Sequence, residues 1–215
     1  VENVPGTITS HNGKDFAAIS QAFANQNYRF GALIVDAALF LPQSRPRFFM
    51  IAVRSDVCLP PEMVSKEPLD TFHSSSLRKA VHRLNGTAEK NWLWWKLPSP
   101  PKRTTIFADF LEDKPTSVAW HTSEQTAALI NMMSPVNLEK LSRAKRAGNL
   151  VIGGVYKRTR KENGRRVQRA EVRFDNVAGC LRTPAGGSSR QIILMVDGET
   201  VRSRLISARE TARLM

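Results

Sequence analysis

Two arginines separated by one proline, Arg45 and Arg47 in LPQSRPRFF, stand at the mouth of an apolar run that continues as FFMIAV. Fixed guanidiniums in such a place read as a pair awaiting an anion. A second group lies at the front of the chain, where Glu2 and Asn3 in ENVPG set a carboxyl that can carry a proton beside an amide. Each residue alone would be an ordinary solvated side chain, so only a shared pattern gives them a site. Nucleophiles are less well provided. A reactive thiolate needs a cation or a helix N-terminus beside it, and nothing adjacent activates Cys58 in VCLPP or Cys180 in AGCLRTP. Both are expected to be small packing residues. The histidines His11, His73, His82 and His121 show no metal-ligand spacing, and no glycine-rich phosphate loop follows a strand. The expectation is a chain with no metal site and no nucleophile of its own, and hence without a complete active site.

Charge points to the partner. The 215 residues carry 32 Lys+Arg against 19 Asp+Glu, a net charge of +13, which suits a partner rich in phosphates. The excess is concentrated between Arg143 and Arg173, where the balance is +9, against +2 on either side. Within that stretch VIGGVYKRTRKENGRRVQRAEVRF reads as two strands around a Glu-Asn-Gly turn. Such a hairpin, with Arg158 and Arg160 on its first strand, could follow a phosphate backbone or enter a major groove, or be a solvated charged surface. Like charges at this density repel, which favours a nucleic acid. Further on, LRTPAGGSSRQ offers small residues, Gly186 and Gly187 among them, that let the backbone approach a phosphate or base edge. Thr183, Ser188 and Ser189 add short donors, and Arg182 and Arg190 flank them. A flexible hairpin turn is the plain alternative.

The elements that must position these groups follow from periodicity. Phe16, Ile19 and Phe23 recur at helical spacing between Lys14 and Asn25. Strand-like runs follow at Tyr28 to Asp36 and Phe48 to Val53, with LFLPQSRP as the turn between them. After Asp56 the prolines and the serine run at 74–76 mark a loop-rich second region. Helices are expected from Thr122, where Thr122 and Gln125 form a capping box, to about Met133, and from about Asn137 to Ala147. Trp92, Trp94 and Trp95 could stack on bases, but core packing is the expected role. The chain opens on Val1 and stops a few residues after a Ser207–Glu210 capping box, so a fragment is expected. No run approaches a membrane span, and VENVPGTITS has no signal-peptide character.

Four stretches in series, ENVPG at 2–6, PQSRPR at 42–47, AGCLRTPAGGSSRQ at 178–191 and RSRLISARETARLM at 202–215, resemble the DNA cytosine-5 methyltransferase family. The family places Glu-Asn-Val at the end of a central strand and Gln-x-Arg-x-Arg at the start of a later one. An Arg-x-Leu-(Ser/Thr)-x-Arg-Glu-x-Ala-Arg-Leu pattern then follows a variable target-recognition region. Pro46 departs from the pattern, since a residue such as Glu or Arg usually stands between the two arginines. The family's Pro-Cys nucleophile and cofactor loop precede Glu-Asn-Val, so neither is carried over to Cys58 or Cys180.

The resemblance implies that Glu2 engages ring N3 and the exocyclic amine of a flipped cytosine, Arg47 its O2, and that Arg45 steadies the glutamate. Asn3 and Gln43 would support them, and 178–191 would be the recognition loop facing the groove. The implied fold is α/β: residues 1–58 as the C-terminal part of a Rossmann-like S-adenosylmethionine-dependent methyltransferase sheet, 59–201 as a loop-rich α+β target-recognition domain, and 202–215 as the start of a helix returning to the catalytic domain. In that helix Leu205, Ala212 and Leu214 would turn inward and Arg209 or Arg213 outward. The implied cofactor is S-adenosyl-L-methionine, bound mainly by a part N-terminal to Val1. The implied partners are double-stranded DNA, that missing part or a complementary subunit, and a cognate restriction endonuclease, with no membrane, in a bacterial cytoplasm at the nucleoid. A DNA-binding subunit of a split enzyme, or a truncated remnant, is the alternative.

Overall fold

The computed structural model describes residues 1–181 and 190–215 and divides them between two units, Val1–Leu39 with Pro46–Pro101, and Phe40–Arg45 with Lys102–Met215. In the first unit β1 (Glu2–Asn3) leads to α1 (Lys14–Asn25), β2 (Tyr28–Asp36), β3 (Pro46–Arg54), β4 (Val64–Ser65), α2 (Ser75–Val81), α3 (Gly86–Lys90) and β5 (Trp94–Trp95). The sheet order is β1-β3-β2 and both ladders are antiparallel. Helix α1 forms because Phe16, Ser20 and Ala24 fall on one face, and Asp15 in its first turn complements the helix dipole. That face covers Phe30, Ala32, Phe48 and Met50. Each buried phenylalanine contributes roughly 1.5–3 kcal/mol.

Strand alternation sends Leu33 and Val35 to the opposite face, where they pack with Val53, Phe72 and Trp95. The tryptophans are packing residues here: Trp92 stands edge-on to Phe16 and Phe30 at 5.8 and 5.7 Å, and Trp95 is buried. Gly31 is required by this arrangement. A Cβ there would overlap the carbonyl of Leu93, whose N–H donates to the Phe30 carbonyl at 2.7 Å. Pro46 sits at the first position of β3, opposite Asp36, where a missing N–H costs the ladder little.

The second unit contains α4 (Ser123–Asn131), α5 (Pro135–Lys145), β6 (Val151–Glu162), β7 (Arg165–Arg173), β8 (Ile192–Asp197), β9 (Thr200–Leu205) and α6 (Ala208–Arg213). Its four-stranded sheet runs β7-β6-β8-β9, antiparallel throughout. Val155, Ala170, Val172 and Leu194 pack against Leu129 and Met133 near α4 and Leu141 of α5, while Ile152, Ile193 and Met195 face the other way with Phe107, Ala178 and Leu214. Thr122 and Gln125 form the expected capping box, and α5 starts two residues earlier than expected because Pro135 suits the first helical turn behind Ser134. Asn163 and Gly164 both have positive φ, which gives the β6–β7 hairpin the tight turn its strand twist favours.

Three expectations are corrected. Residues 200–205 form strand β9, and helix begins only at Ala208, behind the capping box. Ala212 is exposed while Leu214 is fully buried, because a six-residue helix has only one short inward stripe. Cys58 is exposed, outside either core of its unit. Among the described residues the chain is a mixed α/β protein with several sheets, and no helix is long and apolar enough to cross a membrane.

Candidate functional site

In the first unit the register of β1 on β3 decides which side chains meet. Glu2 lies opposite Phe49, so Arg47, two residues back along β3, is its diagonal neighbour on the same sheet face. The Arg47 Nε is 3.3 Å from Glu2 Oε1. The pair is asymmetric: the arginine side chain is 19% exposed and the glutamate 59%. Arg47 is steadied further by its own Nη1, which donates to the Pro46 carbonyl at 2.9 Å. The amide of Asn3 is turned back on its own backbone, its Oδ1 accepting from the Val4 N–H at 2.8 Å. What results is an anchored guanidinium beside a carboxyl that is open to solvent.

Gln43 and Arg45 belong to the second unit. Gln43 is buried and its Nε2 donates to the Leu214 carbonyl at 2.7 Å. Backbone bonds from Ser44 N to Ala178 O and from Ala178 N to Pro42 O tie the same stretch to the AGC segment. The Arg45 Nη1 donates to the Leu181 carbonyl at 3.3 Å and lies 3.6 Å from the Cys180 sulfur. Three sequence patterns that are far apart in the chain thus meet at residues 42–45, 178–181 and 214.

The basic hairpin is laid out by its pairing. Arg158 faces Arg169 across the ladder, and like charges directly opposite repel. Two carboxylates relieve this: Glu162 takes Arg169 with Nε 2.8 Å from Oε1, and Glu171 takes both Arg158, at 3.5 Å, and Arg160. The Arg169 guanidinium hydrogen-bonded to Glu162 holds that carboxyl below the usual carboxylate range. Lys161, Arg165 and Arg166 around the turn make no ion pair among the described residues and are exposed. Arg182, Thr183, Gly186, Gly187, Ser188 and Ser189 lie outside the described residues. Arg190 is described, and its Nη2 donates to the Ile206 carbonyl at 2.5 Å. Beside it, the Tyr156 hydroxyl reaches Gln191 Oε1 at 2.7 Å and the Cys180 carbonyl at 3.2 Å. Gly179 packs so closely on the Tyr156 ring that a Cβ would overlap it.

Sequence reasoning missed a buried ion pair. Arg204, on β9, makes a bidentate contact with Glu210 at 2.8 and 2.6 Å, and both side chains are almost wholly buried. Glu210 also accepts the backbone N–H of Glu112 and Ser207, while the Ser207 hydroxyl donates to the Glu112 carboxylate at 2.6 Å. The capping box pointed to Glu210, but nothing local pointed to Arg204 or Glu112.

Residues 1–215 match the family model described as C-5 cytosine-specific DNA methylase. Among curated proteins, the chain is 27% identical over 164 residues to the orphan methyltransferase M.SPRI of Bacillus phage SPR, a match covering 72% of this chain and 36% of the phage protein. It is 27% identical over 142 residues to the putative type II methyltransferase M.BsuMIIP of Bacillus subtilis strain 168, covering 65% and 31% respectively. The orphan methyltransferase M.SPBetaI of Bacillus phage SPbeta matches to the same extent. The chain spans about a third of the length of these relatives.

Proposed function

Because the chain belongs to the C-5 cytosine-specific DNA methylase family, we propose that it is the portion of a DNA (cytosine-5)-methyltransferase that grips the target base and reads the duplex. The observation that carries this reading is the Glu2–Arg47 pair at 3.3 Å on one sheet face. Addition of a nucleophile at C6 of cytosine puts electron density on N3 and O2. A protonated carboxyl donating to N3 and a fixed guanidinium donating to O2 accommodate that charge. Once C6 is attacked, C5 becomes the nucleophile that takes the methyl group, and loss of the C5 proton with expulsion of the C6 nucleophile restores the ring. In this reading Glu2 serves N3 and the exocyclic amine, and Arg47 serves O2. The anchoring of Arg47 by Pro46 and the exposure of Glu2 suit a guanidinium that stays in place and a carboxyl that meets a base arriving from solvent. The base must leave the stack to reach them.

S-adenosylmethionine supplies the methyl group in this reading. The cleft of about 560 Å³ beside Asn3 and Val4 is a poor match for it: its lining contains no aromatic face for an adenine, and its one carboxylate, Asp15, is engaged by His11 Nδ1 at 2.9 Å. In keeping with the family pattern, in which the nucleophile and cofactor loop precede Glu-Asn-Val, we assign the cofactor and the nucleophile to residues outside 1–215, together with the rest of a Rossmann-like sheet to which β1, β3 and β2 would belong. Residues 59–201 serve target recognition on this proposal, with Arg158, Arg160 and Arg190 toward duplex DNA. Phage DNA protection or restriction-modification is the setting proposed for such an enzyme, in keeping with relatives named as orphan methyltransferases of phages and a putative type II methyltransferase.

The test is chemical. Mass spectrometry of nucleosides from duplex DNA treated with the complete enzyme and labelled cofactor should find label on C5 of cytosine. Label on an exocyclic nitrogen, or on adenine, overturns the proposal.

A further inference from the structure

The cations of the β6–β7 hairpin fall into two classes that net charge conceals. Arg158 is held from two sides: its Nε lies 3.5 Å from Glu171 Oε2, and its guanidinium carbon sits 5.8 Å from the centre of the Tyr156 ring. Both holders are themselves held. Glu171 is opposite Tyr156 in the ladder and also binds Arg160, while the Tyr156 hydroxyl is fixed on Gln191. The two terminal nitrogens of Arg158 have no partner among the described residues, and half of the side chain is exposed. Lys161, Arg165 and Arg166 around the turn are exposed cations with no ion pair among the described residues to orient them.

We infer that Arg158 is a base-reading residue and Glu171 the residue that positions it, while the cations at the hairpin turn contact phosphate. This rests on the reading of the chain as the DNA-binding portion of a methyltransferase. A guanidinium engaged through Nε presents Nη1 and Nη2 as a rigid coplanar fork, which matches the O6 and N7 acceptors on the major-groove edge of guanine. A phosphate, presenting oxygens in many directions, needs no such pinning, and long unpinned side chains serve it as well. The arrangement therefore assigns sequence information to the strand end near Tyr156 and electrostatic grip to the turn.

The experiment selects duplexes from a randomised pool with the 215-residue chain, then measures affinity for the selected site, its single-base variants and unrelated DNA over a range of salt. Arg158→Lys keeps the charge and loses the fork, and Glu171→Gln keeps the fork and releases it. Both should retain the salt slope while discrimination at one guanine, roughly 5- to 150-fold in the unsubstituted chain, collapses toward none. Arg166→Ala should weaken all sequences alike and lower the salt slope by about one. Unfolding midpoints equal to that of the unsubstituted chain show that the variants are folded. If Arg158→Lys weakens every duplex equally and leaves base preference intact, Arg158 is a phosphate contact and the inference fails while the DNA-binding reading stands. No selection of duplex DNA by the unsubstituted chain overturns both.

Discussion

The chain holds two arginine–glutamate pairs built to opposite ends. Arg204 and Glu210 meet in a bidentate fork with 1% and 0% of their side chains exposed, and backbone N–H groups complete the shell around the carboxylate. Glu2 and Arg47 meet through one contact, with the glutamate mostly in solvent. The first pair has no room for anything else and ties β9 to the start of α6. In the second, the carboxyl keeps one oxygen and most of its surface free, which suits a group that must meet a ligand. The first pair is sealed and can serve only structure, whereas the second leaves an acid accessible beside a held cation, as the proposed role of Glu2 requires.

Breaking the buried pair should have the largest effect. Arg204→Ala leaves Glu210 charged in the interior, and a loss of about 3–5 kcal/mol of unfolding free energy is expected in denaturant melts. Replacing both partners with apolar residues of similar volume should cost much less, because no uncompensated charge remains. A loss as large in the double replacement would show that the pair stabilises on its own account.

The exposed pair should behave in reverse. Glu2→Ala is expected to change stability by less than about 1 kcal/mol, because its side chain is mostly in solvent, while methyl transfer by the complete enzyme falls on the order of 100-fold.

Acid sharpens the contrast. Burial by itself pushes the Glu210 carboxyl up, but the Arg204 guanidinium and the donors from Glu112 and Ser207 outweigh it, so the group titrates below its usual range. A carboxyl depressed in the folded state contributes stability that is intact above the ordinary carboxylate range and lost as pH falls through that range and below. Unfolding free energy measured against pH should show this acid loss in the unsubstituted chain and a shallower one in Glu210→Gln. The smallest effect belongs to the surface: Arg143→Ala, which breaks an exposed contact with Glu139 at 3.0 Å, should stay within about 0.5 kcal/mol.

What could be read from sequence was whatever is encoded locally. The apolar spacing of Phe16, Ile19 and Phe23 located α1, the run from Tyr28 to Asp36 located β2, and Asn163-Gly164 located the hairpin turn, because each depends on residues a few positions apart. Strand β3 was legible except for its first two residues and its last. The strand begins at Pro46, a first position where a proline is tolerated, and so Arg47 lies on the strand rather than at its mouth. Of the site, the family pattern put Glu2 and Arg47 in one pocket, but their direct contact was not legible: the pattern gave the steadying of Glu2 to Arg45, and the β1 register that brings Arg47 beside it depends on pairing across the chain. Partners far apart in sequence were out of reach. Glu112 and Ser207 are 95 positions apart, and Gln43 and Leu214 are 171 apart. Nor does helical spacing alone tell that Leu214 points inward while Ala212 faces solvent, since α6 is too short to define a face by itself.

The most direct measurement compares rate with stability in a single variant. Glu2→Gln keeps the size and hydrogen-bonding reach of the side chain but cannot carry a proton to N3. Single-turnover methyl transfer to duplex DNA by the complete enzyme, measured beside the unfolding midpoint of the same preparation, should show a rate lower by roughly 100-fold and a midpoint that does not move. A rate close to that of the unsubstituted enzyme would contradict the account at its centre.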